Sequence, residues 1–162
     1  LALVATERFG QAEAEQAEIL QSIKLLSKHH TIEAETERQV LKVAERVVAG
    51  ELAAKRRNYD EAIRALKEAV AAEDGLRYSE PPYWHAPARQ NLGAVLMAVG
   101  RPTEAESVYR EDLKRNPENG WSLFGLGKSL RAQEKMEEAR AVEDRFRQAW
   151  TRADVKLTES RF

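Results

Sequence analysis

The side chains that could carry chemistry are few, and their spacing argues against each in turn. Of three histidines, His29 and His30 are neighbours and His85 stands five residues after Glu80. Neighbouring side chains on a helix diverge by about 100°, so His29 and His30 cannot share one metal ion without a bend in the chain. A helix end, whose dipole favours the cationic imidazole, is the plainer place for them. Glu80 and His85 supply two ligands, short of a metal site. Cysteine is absent, which removes thiol catalysis, disulfides and thiolate metal ligands together. Ser107, Ser122 and Ser129 fall in helix-like stretches without a nucleophile elbow. The "GLG" at Gly125 to Gly127 lacks the third glycine and the preceding strand of a dinucleotide fingerprint. The adjacent acids Glu137 and Glu138 suit the first turn of a helix. A nucleophile, a base and oxyanion donors cannot be assembled from this set. The expectation is a protein without catalytic residues, metal or cofactor, whose function lies in its surfaces.

Composition says what kind of element presents those surfaces. The chain has 162 residues, 43% hydrophobic and 33% charged, enough for a core within one domain, and its wealth of Ala, Glu, Arg and Leu favours helix. Basic and acidic residues nearly cancel, 26 against 27, so no net field draws the chain to nucleic acid or anionic lipid. No apolar run approaches the roughly 18 residues that span a bilayer, and "LALVATERFGQ" lacks the basic start and long apolar middle of a signal peptide. A soluble chain is expected, with cytoplasm and periplasm both open. Its first residue is Leu, which reads as a trimmed, processed or excised chain.

Internal repetition then fixes the architecture. Gly93 and Gly127 lie 34 residues apart, and the same offset pairs Leu92 with Leu126, Leu96 with Leu130 and Ala105 with Ala139. Upstream, Gly50 and Ala62 repeat the 12-residue spacing of Gly93 and Ala105, but Gly50 precedes Gly93 by 43 residues, nine more than the period. The extra nine are "GLRYSEPPY", residues 75–83. Period and pattern resemble the tetratricopeptide repeat (TPR). The middle copy supplies Leu92, Gly93, Leu96, Ala105, Tyr109 and Pro117, with Arg89 in place of the signature Trp and Asp112 in place of a small residue. The first keeps Gly50, Ala62, Leu66 and Ala69, with Asp74 where Pro is usual. The last keeps Leu126, Gly127, Leu130 and Ala139, then departs at Glu143 and Phe146. The stretch from "EPPYWHAPARQNLG" to "NPENGWSLFGL" is also similar to the C-terminal part of some long bacterial TPR proteins.

The resemblance implies an all-α, right-handed α-solenoid of about three helical hairpins (44–74, 84–117 and 120–152), and a non-catalytic scaffold for protein partners. Physical chemistry agrees, since Gly and Ala at fixed offsets let paired helices approach while Leu92, Leu96, Tyr109 and Leu113 fill the volume around them. Asn58, three residues before Glu61, reads as a capping box, and Pro102 suits a first helical position. Residues 1–43 lack the signature yet remain helical, with Phe9, Ala12, Ile19, Ile23 and Leu26 in helical register and no proline from Thr31 to Arg57. They predict a long helical hairpin turning at "SKHHTIE", its second helix running into the first repeat. Residues 153–162, "ADVKLTESRF", read as a tail or a short capping element.

Two surfaces are candidates for contact. In each first helix, residues six and three before the repeat Gly and one and four after it form one stripe. The stripe runs Ala44, Val47, Glu51, Ala54; then Pro87, Gln90, Ala94, Met97; then Trp121, Phe124, Lys128, Arg131. The expected groove for an extended or helical peptide comprises Gln90, Met97, Trp121 and Phe124, with Lys128 and Arg131 holding a carboxylate. The plainer reading packs Trp121 and Phe124 against a neighbouring helix. One TPR subclass grips a chaperone's terminal carboxylate with two Lys, two Asn and an Arg. The matching positions here hold Val47, Glu51, Asn91, Trp121 and Gly125, so that mechanism is not expected. The other candidate is the insertion, where a helix starting near Pro82 would carry Tyr83 and Trp84 and form, with Tyr78, an aromatic recognition corner; the alternative is that these rings anchor the loop. Set against peptide binding is a structural role, in which the helices stack on further repeats, a second copy, or an adjoining domain of a larger protein.

Overall fold

A computed structural model describes residues 1–161, and every regular element in them is helical. In chain order the helices are α1 (Ala2–Ala5), α2 (Phe9–Leu26), α3 (Ile32–Lys55), α4 (Tyr59–Asp74), α5 (Ala88–Ala98), α6 (Pro102–Arg115), α7 (Gly120–Ala132) and α8 (Met136–Ala149). They form two compact units, Leu1–Ala88 and Arg89 onward.

In the first unit α2, α3 and α4 pack in sequence, with α1 against α2 and α3. Thr31 caps α3, its hydroxyl accepting the Ala34 N–H at 3.2 Å, and Glu33 and Glu35 follow in the first turn, where the helix dipole favours negative charge. The close approach of α3 to α4 depends on Gly50, where a Cβ would stand 2.5 Å from Leu66 Cγ. Val43, Val47, Ala69 and Ala88 form one buried cluster, and Val4, Ala12 and Leu52 another.

Where the sequence suggested a helix from about Pro82, the structure keeps residues 75–87 out of helix and starts α5 at Ala88. Pro87 is the physical reason: the residue before a proline is pushed away from the α region, so Ala86 cannot sit inside a helix turn. Glu73 completes the start by accepting the Ala88 N–H at 2.8 Å. The capping box expected at Asn58 is also replaced. Its amide donates to Glu61 Oε2 at 2.6 Å and caps no backbone N–H.

One backbone turn recurs along the chain. Glu7, Arg57, Gly100 and Glu134 take φ between 59° and 72°. Each is followed by a residue whose N–H reaches back five positions: Arg8 to Leu3, Asn58 to Ala53, Arg101 to Leu96 and Lys135 to Leu130, at 2.8 to 3.0 Å. This is the Schellman pattern of helix C-termini. The same turn thus joins α1 to α2, α3 to α4, α5 to α6 and α7 to α8, including a pair that carries no repeat signature.

The second unit packs α6 on α7 and α7 on α8. Asn119 starts α7 by accepting the Trp121 N–H at 3.1 Å. Removing this cap as Asn119→Ala is expected to cost about 1 kcal/mol in chemical denaturation, with Asn119→Ser near neutral; equal losses in both would show that the cap bond is not the stabilising contact.

Candidate functional site

The second unit is organised around one phenol. Tyr109, on α6, is 1% exposed. Its ring lies between two helix backbones that carry no side chain there: a Cβ would fall 2.3 Å from the ring at Gly93 of α5 and 2.2 Å from it at Gly125 of α7. Burial holds this phenol protonated well above its ordinary range. Its hydroxyl lies 2.6 Å from Ser160 Oγ, and Ser160 donates to the main-chain carbonyl of Gln90 at 3.1 Å. A serine has one hydroxyl proton, so Tyr109 is the donor to Ser160.

Ser160 belongs to the stretch after α8, which crosses this face without helical structure. Its path is pinned at Val155, whose carbonyl accepts Trp150 Nε1–H at 2.7 Å, and at Thr158, whose carbonyl accepts Lys128 Nζ at 2.7 Å. Leu157 and Ser160 are buried, 8% and 3% exposed. Beside the stretch, Ala94, Met97, Tyr109, Gly125 and Lys128 line a cleft of about 250 Å³ that Thr158, Glu159 and Ser160 border from the other side.

The structure therefore divides the stripe. Gln90, Met97 and Lys128 come together against the stretch after α8. Trp121 instead meets the edge of Trp150 at 5.7 Å, Phe124 packs on Phe146 at 5.5 Å, and Phe146 stacks on Trp150 at 5.7 Å. Arg131 is engaged by Glu143 of α8, with Nη2 at 2.6 Å from Oε2, and Lys128 Nζ also lies 4.8 Å from the Phe124 ring centre. The carboxylate expected from a ligand at Arg131 is supplied from within the hairpin. Reasoning from sequence missed Tyr109, Gly125, Leu157 and Ser160 as parts of this face. Gly125 carried a signal, because a glycine inside a helix costs about 1 kcal/mol against Ala and so implies a close approach.

Residues 91–153 match the family model described as tetratricopeptide repeat. This segment carries tetratricopeptide repeats. No curated protein and no solved structure gave a match. TPR repeats in general mediate protein-protein interactions.

The departures from the TPR signature bring charged residues into the core. Arg89 replaces the usual Trp and Asp112 a small residue, and both are buried, 7% and 0% exposed. Burial pushes the Asp112 carboxyl up, against which act hydrogen bonds from Ser122 and from Asn116 at 3.0 Å and the charges of Arg89 and Arg115. A second polar node ties the TPR hairpins together. Glu106 on α6 accepts Arg110 at 2.8 Å, Gln133 at 2.8 Å and Lys135 at 2.7 Å, the last two from the turn between α7 and α8. Burial alone would raise its pKa; the three donors outweigh burial and hold it at about 2.

At the insertion, Trp84 packs on the Val43, Val47, Ala69 and Ala88 cluster and donates to the Ala86 carbonyl at 2.6 Å. Tyr78 and Tyr83 are exposed, and Tyr83 borders an open cleft with Ile32, Val40 and Leu41. His29, His30 and His85 are all exposed. Among the described residues no group of three His, Cys, Asp or Glu is placed to hold a metal ion, and no helix is long and apolar enough to cross a membrane.

Proposed function

We propose that the chain is a non-catalytic interaction scaffold whose α5–α7 face, at Gln90, Met97 and Lys128, binds an extended polypeptide segment of a protein partner. The observation that supports this is that the face already holds polypeptide. Lys128 meets a main-chain carbonyl, which every residue offers, while specificity falls to two buried side chains. Main-chain contacts for affinity and side-chain pockets for selection are the usual division of labour in recognising extended peptides.

Capture from a lysate of the source cells tests the reading, comparing wild type with Met97→Glu plus Lys128→Glu at equal helicity by circular dichroism. Neither residue is buried, so the core is spared. At least one protein held by wild type should be lost from the variant; identical captured sets would refute a binding role for this face. A second reading, a structural segment stacking on further helices, is favoured by Leu20 and Leu25 of α2, which are 48% and 51% exposed. Proteins lost only from Leu20→Glu plus Leu25→Glu would belong to that surface.

A further inference from the structure

The occupant of the α5–α7 face says what its partner resembles. Between Thr151 and Ser160, only Leu157 and Ser160 are buried; the rest are exposed. The buried pair is an apolar side chain followed three residues later by a small hydroxyl. The hydroxyl is selected by two atoms at once, the Tyr109 phenol and the Gln90 carbonyl. Between the buried pair, Lys128 holds the carbonyl of Thr158. A longer side chain at the Ser160 position would have to displace the Tyr109 hydroxyl, whose ring cannot retreat between Gly93 and Gly125.

The stretch is also lightly held. It forms no helix, and within residues 155–160 its anchors are the Leu157 side chain and the hydrogen bonds at Val155, Thr158 and Ser160. Such attachments stand against the entropy of ordering the intervening residues, which is the balance of a segment that exchanges.

We propose that residues 155–160 are a built-in occupant of the α5–α7 face, and that the partner bound there presents an extended Leu-x-x-Ser segment that displaces it. The proposal rests on the reading that this face binds polypeptide. An external segment then competes with a tethered copy of itself, so its apparent affinity is reduced by the fraction of chains in which the tethered copy is away.

The test uses the full chain and a fluorescein-labelled peptide with blocked ends, ADVKLTESR, matching residues 153–161. Leu157→Asp plus Ser160→Asp removes both buried anchors and opens the face. The opened chain should bind the peptide, by fluorescence anisotropy, about tenfold or more tightly than wild type does. A peptide with Asp at both anchor positions should not bind, and adding Met97→Glu to the opened chain should abolish binding. Ser160→Ala is a gentler opening variant; if the double variant loses helicity, it should still bind the peptide severalfold more tightly than wild type. Equal affinity for wild type and opened chains, or no binding to either, overturns the proposal. So does concentration-dependent dimerisation of the opened chain that the peptide does not compete, which would assign the face to a second copy. If the peptide fails while lysate capture still depends on Met97 and Lys128, the Leu-x-x-Ser inference falls and the binding face stands. Failure of both removes both.

Discussion

Gly125→Ala is expected to lower the stability of the second unit by about 3 kcal/mol. The added methyl would lie 2.2 Å from Tyr109 Cζ and 2.5 Å from Cε1, well inside van der Waals contact. In most helices the change would help, because Ala exceeds Gly in helix propensity by about 1 kcal/mol. Here the ring has nowhere to go. Gly93 closes the opposite side at the same distance scale, and the hydroxyl is tied to Ser160. Either a helix shifts or Tyr109 leaves a site where it is almost wholly buried, and expelling a large buried ring costs about 3–5 kcal/mol. A double-mutant cycle checks the cause. In a Tyr109→Ala background the clash is gone, so Gly125→Ala should become neutral or stabilising by up to about 1 kcal/mol. If its sign does not change there, the slot does not explain the glycine. Gly10, where a Cβ meets nothing within 4 Å, is the control substitution, expected to be harmless.

Glu106→Gln should cost about 2–3 kcal/mol at pH 7 and flatten the acid limb of the stability curve. The folded-state pKa of about 2 lies below the ordinary carboxylate value. A depressed acid contributes stability that is fully present above its unfolded pKa and is lost as pH falls through the folded one. The window here runs from about pH 4.5 down to about 2. Glu106 is itself largely buried, though Arg110 and Lys135 are 44% and 39% exposed in their side chains, which places the loss below that of a fully enclosed pair. Wild type and variant should therefore differ most near neutrality and converge toward pH 2. Parallel curves across that window would locate the acid sensitivity elsewhere. Asp112 acts in the opposite sense, because burial raises its carboxyl; its protonation on acidification relieves a cost and partly offsets the loss at Glu106.

What was legible in the sequence follows from what repeats in side chains. Gly50, Gly93, Ala62 and Ala105 stand at contacts where size decides, so their types recur and their spacing reveals paired helices. The face itself was only half legible. Residues 121, 124, 128 and 131 share one stripe of α7, but α7 is packed on both α6 and α8. A stripe derived from helix geometry does not say which neighbour takes which residue, and the aromatics went to Phe146 and Trp150 while Lys128 went to Thr158. The occupant was legible only as a tail or a short capping element, without the face it meets. "ADVKLTESRF" has no period, and a lone Leu and Ser acquire meaning only from the Tyr109 slot they meet. The late start of α5 was written in Pro87 and was obscured by the adjacent Pro81 and Pro82, which suit a helix start equally well.

The recurring turn has a consequence for how such a chain can change. At its left-handed position stand Glu, Arg, Gly and Glu, so the closure of each hairpin is carried by main-chain hydrogen bonds and does not depend on what side chain is present. Each hairpin is in effect a cassette whose closure is blind to sequence. Additions fall most easily between cassettes, where doubling a connection costs only about 0.6 kcal/mol, and residues 75–83 lie in such a junction, between α4 and α5. The inner faces of the helices are thereby free to diverge for recognition while the joints that space them keep one geometry.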